Sequence, residues 1–189
     1  MRFLEFLNES KIEIPTVWYH GTKVDFPKFD LKYIITENSI AQNGPGFYLS
    51  SDPKDAEKYG YGKESGYLKT VKLLRKSGLK SGKYRAPRPE YIGSLINKMP
   101  NKEDILSNWA EDPNVAMRDL KRSIIESSDT MLEMVLNVWA DCFMDHELEL
   151  VQILLGRGLD GFVLDQQNNV KHLICYNPDI LKIVSTEKI

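Results

Sequence analysis

A block of helical spacing, residues 102 to 155, interrupts a chain whose flanks read as strands, and this interruption constrains the fold more than any other feature. Before it, Val17-Trp18-Tyr19, Phe47-Tyr48-Leu49 and Gly66 to Leu74 are short β-branched and aromatic runs bounded by turn residues. After it, Phe162-Val163-Leu164, Leu173-Ile174-Cys175-Tyr176 and Ile180 to Val184 resume the same pattern. Because the strands resume, the block reads as a helical insertion within one domain, and the expected class is α+β.

Within the insertion, Lys102 to Ala110, Asn114 to Ser127 and Thr130 to Leu155 carry apolar residues at helical intervals, with a break expected near Asp145. Residues 76 to 100, rich in Gly, Pro and basic side chains, read as a long connection that opens the inserted region 76-155. Asp30 to Asn43 reads as a surface loop with a little helix. Ser51 or Asp52 is placed to cap a short helix that starts at Pro53 and closes near Tyr59-Gly60, with Asp55 and Glu57 as acids favoured by the helix dipole.

A length of 189 residues with 42% hydrophobic content suffices for one well-packed domain spanning 1-189, with a monomer as the default. The longest apolar runs fall far short of the roughly 20 residues a membrane-spanning helix needs, so a soluble protein without a membrane partner is expected. Twenty-five basic against 27 acidic residues leave a net charge of -2, without the broad positive field that drives nucleic-acid binding. The eight Lys and Arg between Lys69 and Arg88 read as a solvated face, and they keep nucleic acid open as a partner. Two cysteines, Cys142 and Cys175, suit a reducing cytoplasm. Trp18, Trp109 and Trp139 are expected as core anchors. Asp141, Cys142, Asp145 and His146 are metal-capable but form no convincing ligand set, so no metal is expected.

Three separated stretches then read as one site: Trp18-Tyr19-His20-Gly21-Thr22, Gly46-Phe47-Tyr48-Leu49-Ser50-Ser51-Asp52-Pro53 and His172-Leu173-Ile174-Cys175-Tyr176-Asn177-Pro178. In this order they resemble the ADP-ribosyltransferase fold, in the branch whose site is built from His, Tyr and Glu. Leu159-Asp160-Gly161-Phe162-Val163 is similar to the turn before that family's last pair of strands. The resemblance covers roughly residues 17 to 73 and 156 to 184, and it implies split antiparallel β-sheets with NAD as substrate. It further implies His20, Gly21 and Thr22 for dinucleotide binding, Tyr48 for stacking on nicotinamide, and Ser50 for holding the amide. An aromatic face against a cationic ring is worth about 1 to 2 kcal/mol when desolvated. This reading depends on residues 20 and 48 presenting their side chains to one cleft.

The chain departs from that pattern at its third motif, where His172 stands in the position of the Glu. A carboxylate stabilises the positive charge that develops on ribose as nicotinamide departs. A protonated imidazole opposes it, at a cost of about 4 kcal/mol for two like charges 4 Å apart at an effective dielectric of 20. His172 must therefore act neutral and accept a hydrogen bond from a ribose hydroxyl, so activity should fall as pH drops below about 6.5. Asp165, in the loop just upstream, is the supplementary acid.

The resemblance implies transfer of single ADP-ribose units to a macromolecular acceptor, a protein before a nucleic acid. An inactive protein that keeps the pocket and acts as a binding or inhibitor module is the alternative. RNA 2′-phosphotransfer lacks its arginine-rich phosphate set here, and plain hydrolysis of the dinucleotide stays open. Met1 to Glu9 reads as a short amphipathic helix and also resembles the head-targeting leaders of tailed bacteriophages, clipped after Leu7-Asn8-Glu9. On that resemblance, residues 1-10 are a possible leader, and the chain is a packaged phage protein delivered to the host cytoplasm to modify host machinery.

Overall fold

The computed structural model describes residues 13–34, 44–60 and 66–189. The expected leader and most of the Asp30 to Asn43 loop lie outside the described residues; Leu31–Tyr33 form one 3-10 turn.

Strand β1 (Val17–Thr22) is followed by β2 (Phe47–Ser50), helix α1 (Pro53–Gly60) and β3 (Tyr67–Leu73). The inserted region holds β4 (Leu79–Ser81), α2 (Pro89–Ile96), α3 (Lys102–Ser107), α4 (Pro113–Glu126), α5 (Met131–Cys142) and α6 (Glu147–Leu155). The chain returns through β5 (Gly161–Asp165), β6 (Lys171–Cys175) and β7 (Leu181–Lys188). The strands form one sheet in the order β4-β5-β6-β2-β1-β3-β7, antiparallel throughout except for β4 with β5. The α+β class expected from the sequence is the class observed.

The two halves of this sheet are joined unequally. β1 pairs with β3 over its whole length, from Val17↔Lys72 to Thr22↔Tyr67, but with β2 only at Tyr19↔Ser50. The expected split therefore takes the form of one sheet nearly parted between β1 and β2.

Local signals fix the helix ends. Asp52 caps α1, its carboxylate accepting from the Lys54 N–H at 2.9 Å. Thr130 and Glu133 form a capping box that starts α5. Asp145, at φ 65°, breaks the chain between α5 and α6 where the sequence predicts a break. One apolar cluster joins sheet and insertion, with Trp18, Val71, Phe162 and Ile174 packed together with Leu120, Val135, Val138 and Leu150, all 0% exposed.

Four expectations change. The connection at 76 to 100 contains β4 and α2, because Leu79–Ser81 pairs with β5 only through tertiary structure. The last strand runs to Lys188 instead of Val184. Trp109 is 37% exposed and anchors no core. The basic stretch is not one solvated face: Lys69 is buried, Arg75 binds Asp160, and Lys76 donates to the Ile14 carbonyl. Among the described residues no helix is long and apolar enough to cross a membrane.

Candidate active site

The site begins where β1 and β2 part. Leu73 N–H donates to the Thr16 carbonyl at 2.8 Å, so Trp18, His20 and Thr22, in phase with Thr16, turn their backbone groups to β3. Tyr19 and Gly21 turn theirs to β2. The ladder closes once, at Tyr19↔Ser50, and the next pair, Gly21 with Tyr48, is not in register. Instead the His20 imidazole reaches the Tyr48 carbonyl, with Nδ1 2.8 Å from that oxygen. A carbonyl only accepts, so Nδ1 carries the proton and the neutral ring keeps Nε2 as an acceptor. Burial pushes the His20 pKa below its ordinary 6.5, helped by the Lys69 charge and opposed by the bond to Tyr48. The ring is neutral at physiological pH.

His20 packs edge-on against Phe26 and Phe29, with centroids 5.8 and 5.3 Å away, and Phe29 in turn meets Phe47 at 5.1 Å. Its side chain thus lies on the Phe47 face of the sheet. Strand alternation sends Tyr48 to the other face, with Gly21, Ser50 and His172, as the registers Tyr19↔Ser50 and Ser50↔His172 require. The expectation that His20 and Tyr48 line one cleft with their side chains is therefore corrected. They meet through the backbone carbonyl of Tyr48, at the gap between the strands, and their rings diverge from it.

The Gly21 face is covered by α1. A Cβ on Gly21 would lie 1.9 Å from the Ala56 carbonyl oxygen and 2.8 Å from the Gly60 nitrogen. The close approach that glycine permits is thus used by a helix backbone. Tyr48 is partly buried and its hydroxyl donates to the Gly44 carbonyl. Thr22, expected to contact the dinucleotide, instead shares its hydroxyl with Val24 in a local turn at 3.3 Å.

Helix α1 brings in a residue whose role the sequence reading missed. Asp55 Oδ2 lies 2.7 Å from His172 Nε2, and Ser50 also hydrogen-bonds the Asp55 carboxylate. Burial alone would raise the Asp55 pKa, but hydrogen bonds from Lys58, His172 and Ser50 outweigh it and hold the carboxyl below its usual range. An ionised carboxylate only accepts, so Nε2 carries the proton and Nδ1 is the acceptor of a neutral His172. From sequence Asp55 reads only as a helix-dipole acid; the residual signal is its position in the first turn of a helix that follows Ser50.

Asp165 is not brought to His172. It pairs with Lys171 at 2.7 Å, is 51% exposed, and shares its register with Lys171, so it faces away from the adjacent His172. The metal-capable set is also occupied otherwise, with His146 bonded to Asn101 and Glu149. Among the described residues no three His, Cys, Asp or Glu converge as a metal site.

The family described as ADP-ribosyltransferase in polyvalent proteins matches residues 14–188. The chain belongs to this ADP-ribosyltransferase family. Its match runs through the helical insertion, which the sequence resemblance left unexplained. No curated protein matches the chain. A solved crystal structure of an anti-CRISPR protein is similar over 92% of this chain and 94% of that chain, at 13% identity and a TM-score of 0.32, too distant for anything to be transferred from it.

Proposed function

We propose that this ADP-ribosyltransferase cleaves the nicotinamide-ribose bond of NAD and transfers single ADP-ribose units to a protein acceptor. The observation that carries the reading is the Asp55–His172 pair, set beside Ser50 on the face that Gly21 and Tyr48 share. Nicotinamide leaves with the electron pair of the broken C–N bond, and the ribose carbon becomes positive. A neutral His172 with Nε2–H on Asp55 offers Nδ1 to a ribose hydroxyl, while the Asp55 carboxylate supplies the negative charge that the missing Glu would have supplied. The like-charge objection to an imidazole is met because an ionised Asp55 beside a neutral His172 gives the pair a net charge of -1. Tyr48 offers its ring to nicotinamide on the same face; the His20 ring lies on the opposite face and takes no part in this grip, so the proposal no longer rests on residues 20 and 48 lining one cleft.

A second reading, a binding module that does no chemistry, is favoured by the opposed directions of the His20 and Tyr48 side chains. Incubating the protein with NAD labelled in the adenosine half and a bacterial lysate separates the two. Label on a protein band supports transfer. Tight NAD binding without label transfer or nicotinamide release supports the binding module, and label on nucleic acid alone contradicts the choice of acceptor.

A further inference from the structure

Lys69 on β3 takes no part in the Asp55–His172 pair. Its side chain is 0% exposed, and its ammonium meets three groups: Asp25 Oδ1 at 2.7 Å, Thr186 Oγ1 at 3.2 Å, and the Phe26 ring at 4.5 Å from the centroid. A buried ammonium requires an anion nearby. The two ends of this pair differ, since Lys69 is fixed in a central strand whereas the Asp25 carboxylate is 58% exposed on the irregular segment after β1. Asp25 also borders a cleft of about 430 Å³, lined further by Phe26, Pro27 and Ile183 to Thr186 of β7.

We infer that Lys69 is a phosphate-binding group whose resident carboxylate, Asp25, gives way when a diphosphate-bearing ligand enters the cleft between residues 25–27 and β7. The cation is fixed by the strand, and the group that neutralises it is the partner that solvent reaches. Thr186, exposed and the cross-strand partner of Lys69, adds a hydroxyl suited to phosphate oxygens, and lysine serves phosphate as a compact charge. His20 is the cross-strand partner of Lys69, so both side chains lie on one face. A ligand whose diphosphate reaches Lys69 can therefore present a neighbouring ribose hydroxyl to Nε2 of His20. The inference is independent of the proposed function, because Lys69 and His20 lie on the sheet face opposite Tyr48 and His172 and the ligand is named only by its diphosphate.

The test titrates ADP and inorganic pyrophosphate calorimetrically into the full chain as wild type, Asp25→Asn and Lys69→Met. Removing the competing carboxylate of a partly exposed pair should tighten ADP binding about threefold to tenfold in Asp25→Asn. Lys69→Met should weaken it by about tenfold or more, the loss of one charge-assisted contact. Thermal melting checks that both variants fold, since Asp25→Asn leaves the buried Lys69 ammonium without its anion. Pyrophosphate following the same order supports the site, and equal ADP affinity in all three proteins overturns it. Nicotinamide release separates the two claims. ADP bound through Lys69 in a protein that releases no nicotinamide keeps this site and removes the transfer reading. Nicotinamide release by a protein whose ADP affinity is equal in all three forms does the reverse.

Discussion

At the scale of single residues, the chemistry depends on which nitrogen of each imidazole carries a proton. His20 and His172 each have one nitrogen bonded to an oxygen acceptor, so each neutral ring keeps one acceptor nitrogen. Asp55→Asn replaces a charged acceptor of His172 by a neutral one. A hydrogen bond to a charged group is worth about 1.5–3 kcal/mol, so the variant should lose about tenfold to a hundredfold in kcat with little change in thermal midpoint. Asp165→Asn, which touches only Lys171, should leave kcat within about twofold, consistent with the small worth of exposed pairs. The depressed pKa of His20 also predicts a stability profile. Between its folded value and about 6.5 the unfolded chain binds more protons, so stability falls as pH drops through that window, and His20→Gln should flatten this part of a melting series. His20, Tyr48 and His172 were legible in the sequence because motif order marks them. Asp55 was not, since its partner lies 117 residues away and only the β2–β6 register brings the two together.

At the scale of elements, α1 and the β1–β2 gap set the site. α1 sits so close to Gly21 that a methyl group there must displace helix backbone. Gly21→Ala should cost about 1–3 kcal/mol, read as a lowered thermal midpoint, and should shift α1 and with it Asp55. Activity should fall further than stability accounts for; a variant of unchanged midpoint would contradict this packing. Most boundaries were legible because caps and apolar spacing are local: Asp52 before α1, the Thr130–Glu133 box before α5, and the turn at Asp145. β4 and α2 were hidden for the opposite reason. Three residues of β4 carry no alternation to read, and the strand exists through parallel pairing with β5. The opposed directions of His20 and Tyr48 were hidden too, because motif spacing reveals that strands adjoin without revealing which face each side chain takes.

At the scale of the whole molecule, the helical insertion returns its chain to the same sheet, and the family match runs unbroken across it from residue 14 to 188. The sequence showed that strands before and after the helices belong together, but not that β4, within the inserted region, forms an edge of the sheet. The arrangement leaves β1 anchored firmly to β3 and barely to β2. The face bearing Gly21, Tyr48, Ser50, Asp55 and His172 is the one we propose breaks the nicotinamide-ribose bond. The most direct test of this proposal is the rate of free nicotinamide release from NAD by wild type, Tyr48→Ala and Asp55→Asn at pH 7.5. The predicted result is measurable release by wild type, about tenfold lower kcat/KM in Tyr48→Ala from the lost stacking, and an equal or greater fall in Asp55→Asn. Release at the same rate by all three proteins, or none from wild type that binds NAD, would contradict it.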